Sequence, residues 1–155
     1  MLAMWETCTQ KAYTPQSALP PSTIALECDG MDVITNAPAS CSSTNKCGFI
    51  LDLHGYTMDG ETQVLNDELF ERGPKAGFVV VAPNSPYSAW EGLEYGPYWA
   101  PDRHTSSLLA IIDDAISDPV IDTNRIHVTG FSQGGFMTWE LLCQASEKIC
   151  SIGEK

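Results

Sequence analysis

Apolar residues along this chain fall into short continuous runs, separated by stretches in which they recur at helical spacing. Gly48–Leu53, Phe78–Ala82 and Arg125–Thr129 are runs of strand length rich in Val, Ile and Phe, and they predict buried strands. Two shorter runs, Thr23–Leu26 and Met31–Thr35, flank Asp29-Gly30 and predict a hairpin around a tight turn. Between these runs lie amphipathic stretches. Asp59–Arg72 carries Val64, Leu65, Leu69 and Phe70 on one side and predicts a helix stopped by Gly73-Pro74. Thr105–Ser117, with Leu108, Leu109, Ile111, Ile112 and Ile116, predicts a second helix ending before Pro119. Gln133–Ser146 predicts a third, with Phe136, Met137, Trp139, Leu141, Leu142 and Cys143 as its apolar positions. Strands alternating with helices predict an α/β architecture with a mostly parallel sheet. Residues 1–22, rich in Thr, Ser and Pro, are expected to be irregular. The strand at Arg125–Thr129 is expected to be the last, with its far edge bare.

One segment brings chemistry. Gly130-Phe131-Ser132-Gln133-Gly134 is a G-x-S-x-G pattern placed between a predicted strand and a predicted helix. That context holds a serine on a sharp turn with its hydroxyl pushed out at the carboxyl end of the strand. The helix N-terminus then sets backbone N–H groups and positive dipole beside it, where negative charge forms during acyl transfer. Ser132 is therefore the candidate nucleophile.

Taken with the strand running into His54-Gly55 and the strand ending at Pro83-Asn84, this pattern resembles the α/β-hydrolase family over most of the chain, from about Cys28 to Cys150. More narrowly it resembles secreted esterases of the polyhydroxybutyrate depolymerase and feruloyl esterase type. The string Gly130-Phe131-Ser132-Gln133-Gly134-Gly135 also occurs in acyl-protein thioesterases and carboxylesterases. The resemblance implies an α/β-hydrolase fold, here a partial domain over residues 23–155 that reaches only through the elbow strand and helix. It implies a serine ester hydrolase working through an acyl-enzyme on small or polymeric esters, with backbone N–H groups of Tyr56 and Gln133 as oxyanion donors. It gives His54 the role of shaping the oxyanion loop. The competing function is a catalytically inactive, hydrolase-like binding protein. The long loop between Asn84 and Arg103 carries Trp90, Tyr95 and Trp99, which either line a substrate pocket or cap the core.

The family's triad continues, after the serine, with an acid and then a histidine. The 23 residues after Ser132 contain neither histidine nor aspartate. The expectation is thus a chain lacking the base and acid of its family, with little activity on its own. Of the histidines present, His54, His104 and His127, the first is expected to lie nearest the serine because neighbouring strands lie about 5 Å apart.

Composition narrows the partners. A net charge of −12 argues against nucleic acid and anionic membrane surfaces. No apolar run is long enough to span a bilayer. No phosphate-binding glycine loop and no zinc-spaced His/Cys cluster is present, so no cofactor and no metal are expected. Six cysteines favour an oxidising compartment, hence secretion, although Met1–Glu6 shows neither a basic start nor a long apolar core. Cys41 and Cys47 enclose a short polar loop and are expected to be bridged. Cys8 and Cys28 form the leftover pair. Cys143 and Cys150 either pair, if the last helix ends near Ser146, or stay free.

Overall fold

The computed structural model describes residues 5–14, 18–86 and 97–155. These residues form a seven-stranded sheet whose spatial order is β1-β2-β3-β5-β4-β6-β7. In chain order the elements are β1 (Cys8–Lys11), β2 (Ile24–Cys28), β3 (Met31–Asn36), β4 (Cys47–Leu53), α1 (Gly60–Asp67), α2 (Leu69–Lys75), β5 (Phe78–Pro83), α3 (Pro101–Ser117), β6 (Ile121–Gly130), α4 (Gln133–Ala145) and β7 (Ser151–Glu154). The first three strands meander antiparallel and β3 joins β5 antiparallel. From β5 onward every pairing is parallel.

Side-chain alternation on β4 divides the core. Phe49, Leu51 and Leu53 pack with Leu108, Ile111, Ile112 and Ala115 of α3 and with Met137 and Leu141 of α4. The α3 positions repeat at i, i+3, i+4 and i+7, which is the spacing of one helix face. On the opposite side Ile50 joins a smaller cluster with Val64, Phe70, Val80 and Ala82, covered by α1 and α2. Asp29 and Gly30 both have positive φ, 48° and 79°, so the β2–β3 hairpin turns as its Asp-Gly pair predicts.

Four expectations are corrected. The segment 1–22 contains strand β1, because Cys8 lies directly opposite Cys28 and is bonded to it, with Cα atoms 4.0 Å apart. The helix predicted over 59–72 is two short helices. Glu68 adopts φ 60° between them, and the Asp67 carboxylate accepts the Leu69 N–H at 3.0 Å. Gly73 and Pro74 lie within α2 instead of ending it. The Phe70 carbonyl, which Pro74 cannot serve for want of an N–H, accepts the Asn36 side-chain amide at 2.8 Å. Finally, β6 is not the last strand: β7 pairs with its far edge.

The Cys41–Cys47 bridge is formed, with Cα atoms 5.5 Å apart, just ahead of β4. Helix α4 ends at Ala145, yet Cys143 and Cys150 are both free and exposed. No helix among the described residues is long and apolar enough to cross a membrane.

Candidate active site

Strand β6 ends at Gly130 and the chain reverses at once into α4. Ser132, between them, sits at φ 52°, ψ −114°. This is a backbone region that side chains with a Cβ rarely adopt, and holding a serine there costs about 1–3 kcal/mol. Three contacts over-determine it. The Phe131 N–H donates to the Leu53 carbonyl at 3.0 Å. The Ser132 N–H donates to the Lys155 carbonyl at 3.0 Å, and the Lys155 N–H returns to Gly130 at 3.1 Å. Gly134 lies so close to β4 that a Cβ there would stand 2.2 Å from the Leu53 carbonyl oxygen. The turn closes only with glycine at that position. Ser132 itself is exposed.

The loop after β4 faces this turn. Gly55 packs against the Phe131 ring, where a Cβ would meet it at 2.8 Å. Thr57 takes φ 62° and donates its N–H to the Pro97 carbonyl at 2.9 Å. Among the described residues, the backbone N–H groups of Tyr56 and Gln133 have no hydrogen-bond acceptor. One is on the loop and the other opens α4.

Trp99 ties the two together. Its backbone N–H donates to the Gln133 side-chain oxygen at 2.8 Å, and its indole N–H donates to the His54 carbonyl at 2.8 Å. Its ring rests on His54 with centroids 4.9 Å apart. Only 3% of Trp99 is exposed, so it braces the site from within the core. Trp90 and Tyr95, its companions as candidate pocket residues, lie outside the described residues.

The histidines are otherwise engaged. His54 is fully buried. Its Nδ1 lies 2.7 Å from the Gly55 carbonyl and its Nε2 accepts the Ser85 N–H at 3.0 Å. These partners assign the Nδ1–H tautomer and leave neither nitrogen to accept a proton from Ser132. Burial pushes its pKa below the usual histidine range. His104 lies in the first turn of α3, and its Nδ1 accepts the Ala100 N–H at 2.9 Å. Its pKa is lowered as well, by burial and then by the Arg103 charge. His127 lies on β6 five residues before Ser132, about 16 Å along an extended chain. Its Nδ1 meets the Ser151 hydroxyl at 2.7 Å.

Next to the site, on the α1 side of the sheet, is an ionisable group inside the core. Asp52 is wholly buried. Its Oδ1 accepts the Gln63 side-chain amide at 3.0 Å, and the same amide lies 3.2 Å from an Asp67 carboxylate oxygen. The Lys155 ammonium meets that Asp67 oxygen at 3.1 Å. Burial first, and then Asp67 beside it, push the Asp52 pKa up to about 8. Among the described residues no group of three or more His, Cys, Asp or Glu is arranged to hold a metal ion.

No family model matches the chain. A bifunctional acetylxylan esterase/xylanase of Neocallimastix patriciarum is 29% identical over 125 residues, which are 79% of this chain and 17% of that protein. An acetyl xylan esterase from Aspergillus awamori superposes with a TM-score of 0.66 at 20% identity, covering 94% of this chain and 52% of the other. Est1E from Butyrivibrio proteoclasticus superposes at 0.60 with 19% identity, over 84% of this chain and 49% of its own. This is an α/β-hydrolase fold. The chain spans about half the length of those solved structures.

Within the α/β-hydrolase fold the sequence had pointed to Ser132, Tyr56 and Gln133, and the structure brings their segments to one end of the β4–β6 pair. Two features escaped sequence reasoning. The Lys155 backbone at the serine had no signal, because β7 is four residues of mixed character. Asp52 did have one: it is the single charge in the apolar run Phe49–Leu53. A charge in a strand covered on both faces needs partners.

Proposed function

We propose that this chain bears the nucleophile and oxyanion donors of a serine-dependent carboxylic ester hydrolase. The observation that carries the reading is Ser132 on its left-handed turn, exposed, at the head of α4, with backbone N–H groups on Gln133 and Tyr56 that have no acceptor among the described residues. In this reading Ser132 Oγ attacks the ester carbonyl carbon and its proton passes to a base. The oxyanion accepts hydrogen bonds from Tyr56 and Gln133, the alcohol departs, and water hydrolyses the acyl-serine. Each donor lowers the barrier by about 3–4 kcal/mol. The substrates put first are acetyl and feruloyl esters of xylan, since the proteins it resembles include acetyl xylan esterases and Est1E, which has been solved with ferulic acid bound. Polyesters come second. The two disulfides support an extracellular setting.

The base is not among the histidines here. His54 and His104 are buried and bonded, and His127 is far up its strand. These 155 residues alone are therefore expected to turn over p-nitrophenyl acetate and methyl ferulate more slowly than about 1 s⁻¹, the low end for working enzymes. Faster turnover abolished by Ser132→Ala would make one of these histidines the base. The ester-hydrolase reading is tested in the full-length natural protein with a fluorophosphonate probe. Labelling on Ser132, lost in Ser132→Ala, is the expected result. Absence of labelling overturns it in favour of a binding protein.

A further inference from the structure

Asp52, Gln63, Asp67 and Lys155 come from three separate segments of the chain and meet beneath the site. Asp52 lies one residue from Leu53, whose carbonyl accepts the Phe131 N–H of the nucleophile turn. Gln63 and Asp67 lie one turn apart on α1, the helix that follows the oxyanion loop. Lys155 runs beside the turn itself, its carbonyl on the Ser132 N–H. The charges do not balance if both acids are ionised, for there are two carboxylates and one ammonium. Asp52 Oδ2 is buried, and no hydrogen-bond donor among the described residues is directed at it. An ionised oxygen in that position loses its hydration and gains nothing in return. A proton on Asp52, donated to the neighbouring Asp67 carboxylate, removes both problems. Asp67 then stays anionic for Lys155 and for the Leu69 N–H, which it accepts at 3.0 Å.

We propose that Asp52 and Asp67 share a single proton and that, with Lys155, they form a latch tying α1 and the oxyanion loop to the nucleophile turn, fastened while the proton is held and loosened when it is lost. Among the described residues, Asp52 faces Asp67 and Gln63 from α1 and Lys155 after β7, while its neighbour on β6 is the uncharged Thr129. The high pKa of Asp52, about 8, agrees with this arrangement. Loss of the proton leaves two like charges within reach of one hydrogen bond, at the carboxyl end of a helix whose own dipole is negative. The end of α1 is then pushed from the sheet and the contact with Lys155 is disturbed. In this account Asp52, Asp67 and Lys155 are positioning residues. The inference rests on the proposed ester-hydrolase reading only for what the latch positions. Its test uses no ester and no probe at the serine, so either idea can fail alone.

The direct measurement is a carbon-13 titration of the aspartate side-chain carboxyls in the wild-type chain. One carboxyl titrating well above the rest, near pH 8, is expected. If every aspartate titrates below about pH 5, the proposal is overturned. The second measurement is Tm between about pH 5 and about pH 9 for wild type and Asp52→Asn, whose side-chain amide imitates the protonated acid. The wild type is expected to lose about 8–16 °C relative to the variant over that range. Parallel curves overturn the latch. The third is exchange of the Ser132 amide, whose protection is expected to fall with rising pH in the wild type faster than base catalysis alone allows, and not in Asp52→Asn. Equal exchange in the two rejects the link to the turn.

Discussion

Strand β4 serves two faces of one sheet, and they are built differently. Toward α3 and α4 it presents Phe49, Leu51 and Leu53 to helices of 17 and 13 residues, and the packing is mostly apolar. Toward α1 and α2 it presents Ile50 and Asp52 to helices of eight and seven residues, broken by a left-handed Glu68. Helices this short gain little from their own hydrogen bonds and lean on caps and tertiary contacts. The first face fixes the strand ends and thereby the serine. The second holds the loop that carries Tyr56, and does so through hydrogen bonds that depend on protonation. Rigidity is thus placed under the proposed nucleophile, and adjustability under one of its proposed oxyanion donors.

Substitutions on the two faces sharpen this contrast. The largest effect is expected on the rigid face. Leu51→Ala should cost about 3–5 kcal/mol in denaturant unfolding, since Leu51 is fully buried among side chains that cannot close over the cavity. A cost below 1 kcal/mol would mean that this face is as pliable as the other. Gly134→Ala should cost about 3 kcal/mol or more, because the new Cβ has only backbone to meet. Retention of wild-type stability there would remove the argument that close approach fixes the elbow.

On the second face the expected signature is a pH dependence. Asp52 has a folded pKa near 8, above its unfolded value, so the folded chain holds a proton that the unfolded chain releases. Its contribution to stability is complete below the unfolded pKa and is lost as pH rises through the folded one. The slope reaches about 1.4 kcal/mol per pH unit for one proton. Unfolding free energies across that window, with Leu51→Ala as a control that keeps the slope, separate the two faces. Opening the Cys41–Cys47 bridge by Cys→Ser at both positions should cost about 2 kcal/mol on the entropic account of a loop this short. The smallest effect is at the α1 cap. Asp59 accepts the Thr62 N–H at 2.7 Å, and Asp59→Ala should cost about 1 kcal/mol, read by the same unfolding curves.

Much of this architecture was legible in the amino-acid pattern, for physical reasons that also explain the omissions. β4, β5 and β6 declare themselves because strands buried on both faces need uninterrupted apolar runs. The elbow declares itself because only glycine fits where backbones nearly touch. β1 and β7 were invisible because each is four residues long with no apolar alternation, and is held by a disulfide or by pairing to a neighbour. The break at Glu68 was hidden because periodicity continues across it, with Val64 before and Leu69 and Phe70 after. At the candidate site, residue types pointed to Ser132, and the family resemblance pointed to Tyr56 and Gln133. Neither reached the engagement of His54 through both ring nitrogens, which depends on Ser85, 31 residues away. Trp99 was left between pocket wall and core cap. Its two hydrogen bonds place it in the core.

Those two bonds make Trp99 an optical gauge of its surroundings. An indole that is buried, hydrogen-bonded through its N–H and stacked on an imidazole has emission unlike that of a solvated one, and here the residue bonds both segments that frame the serine, through its ring to His54 and through its backbone to Gln133. Trp139 is half exposed and Trp5 is buried elsewhere, against Phe49. Removing those two and Trp90 by substitution would leave Trp99 as the single tryptophan of the four. Separation of the oxyanion loop from the nucleophile turn could then be followed by fluorescence in real time, without a substrate and without a label.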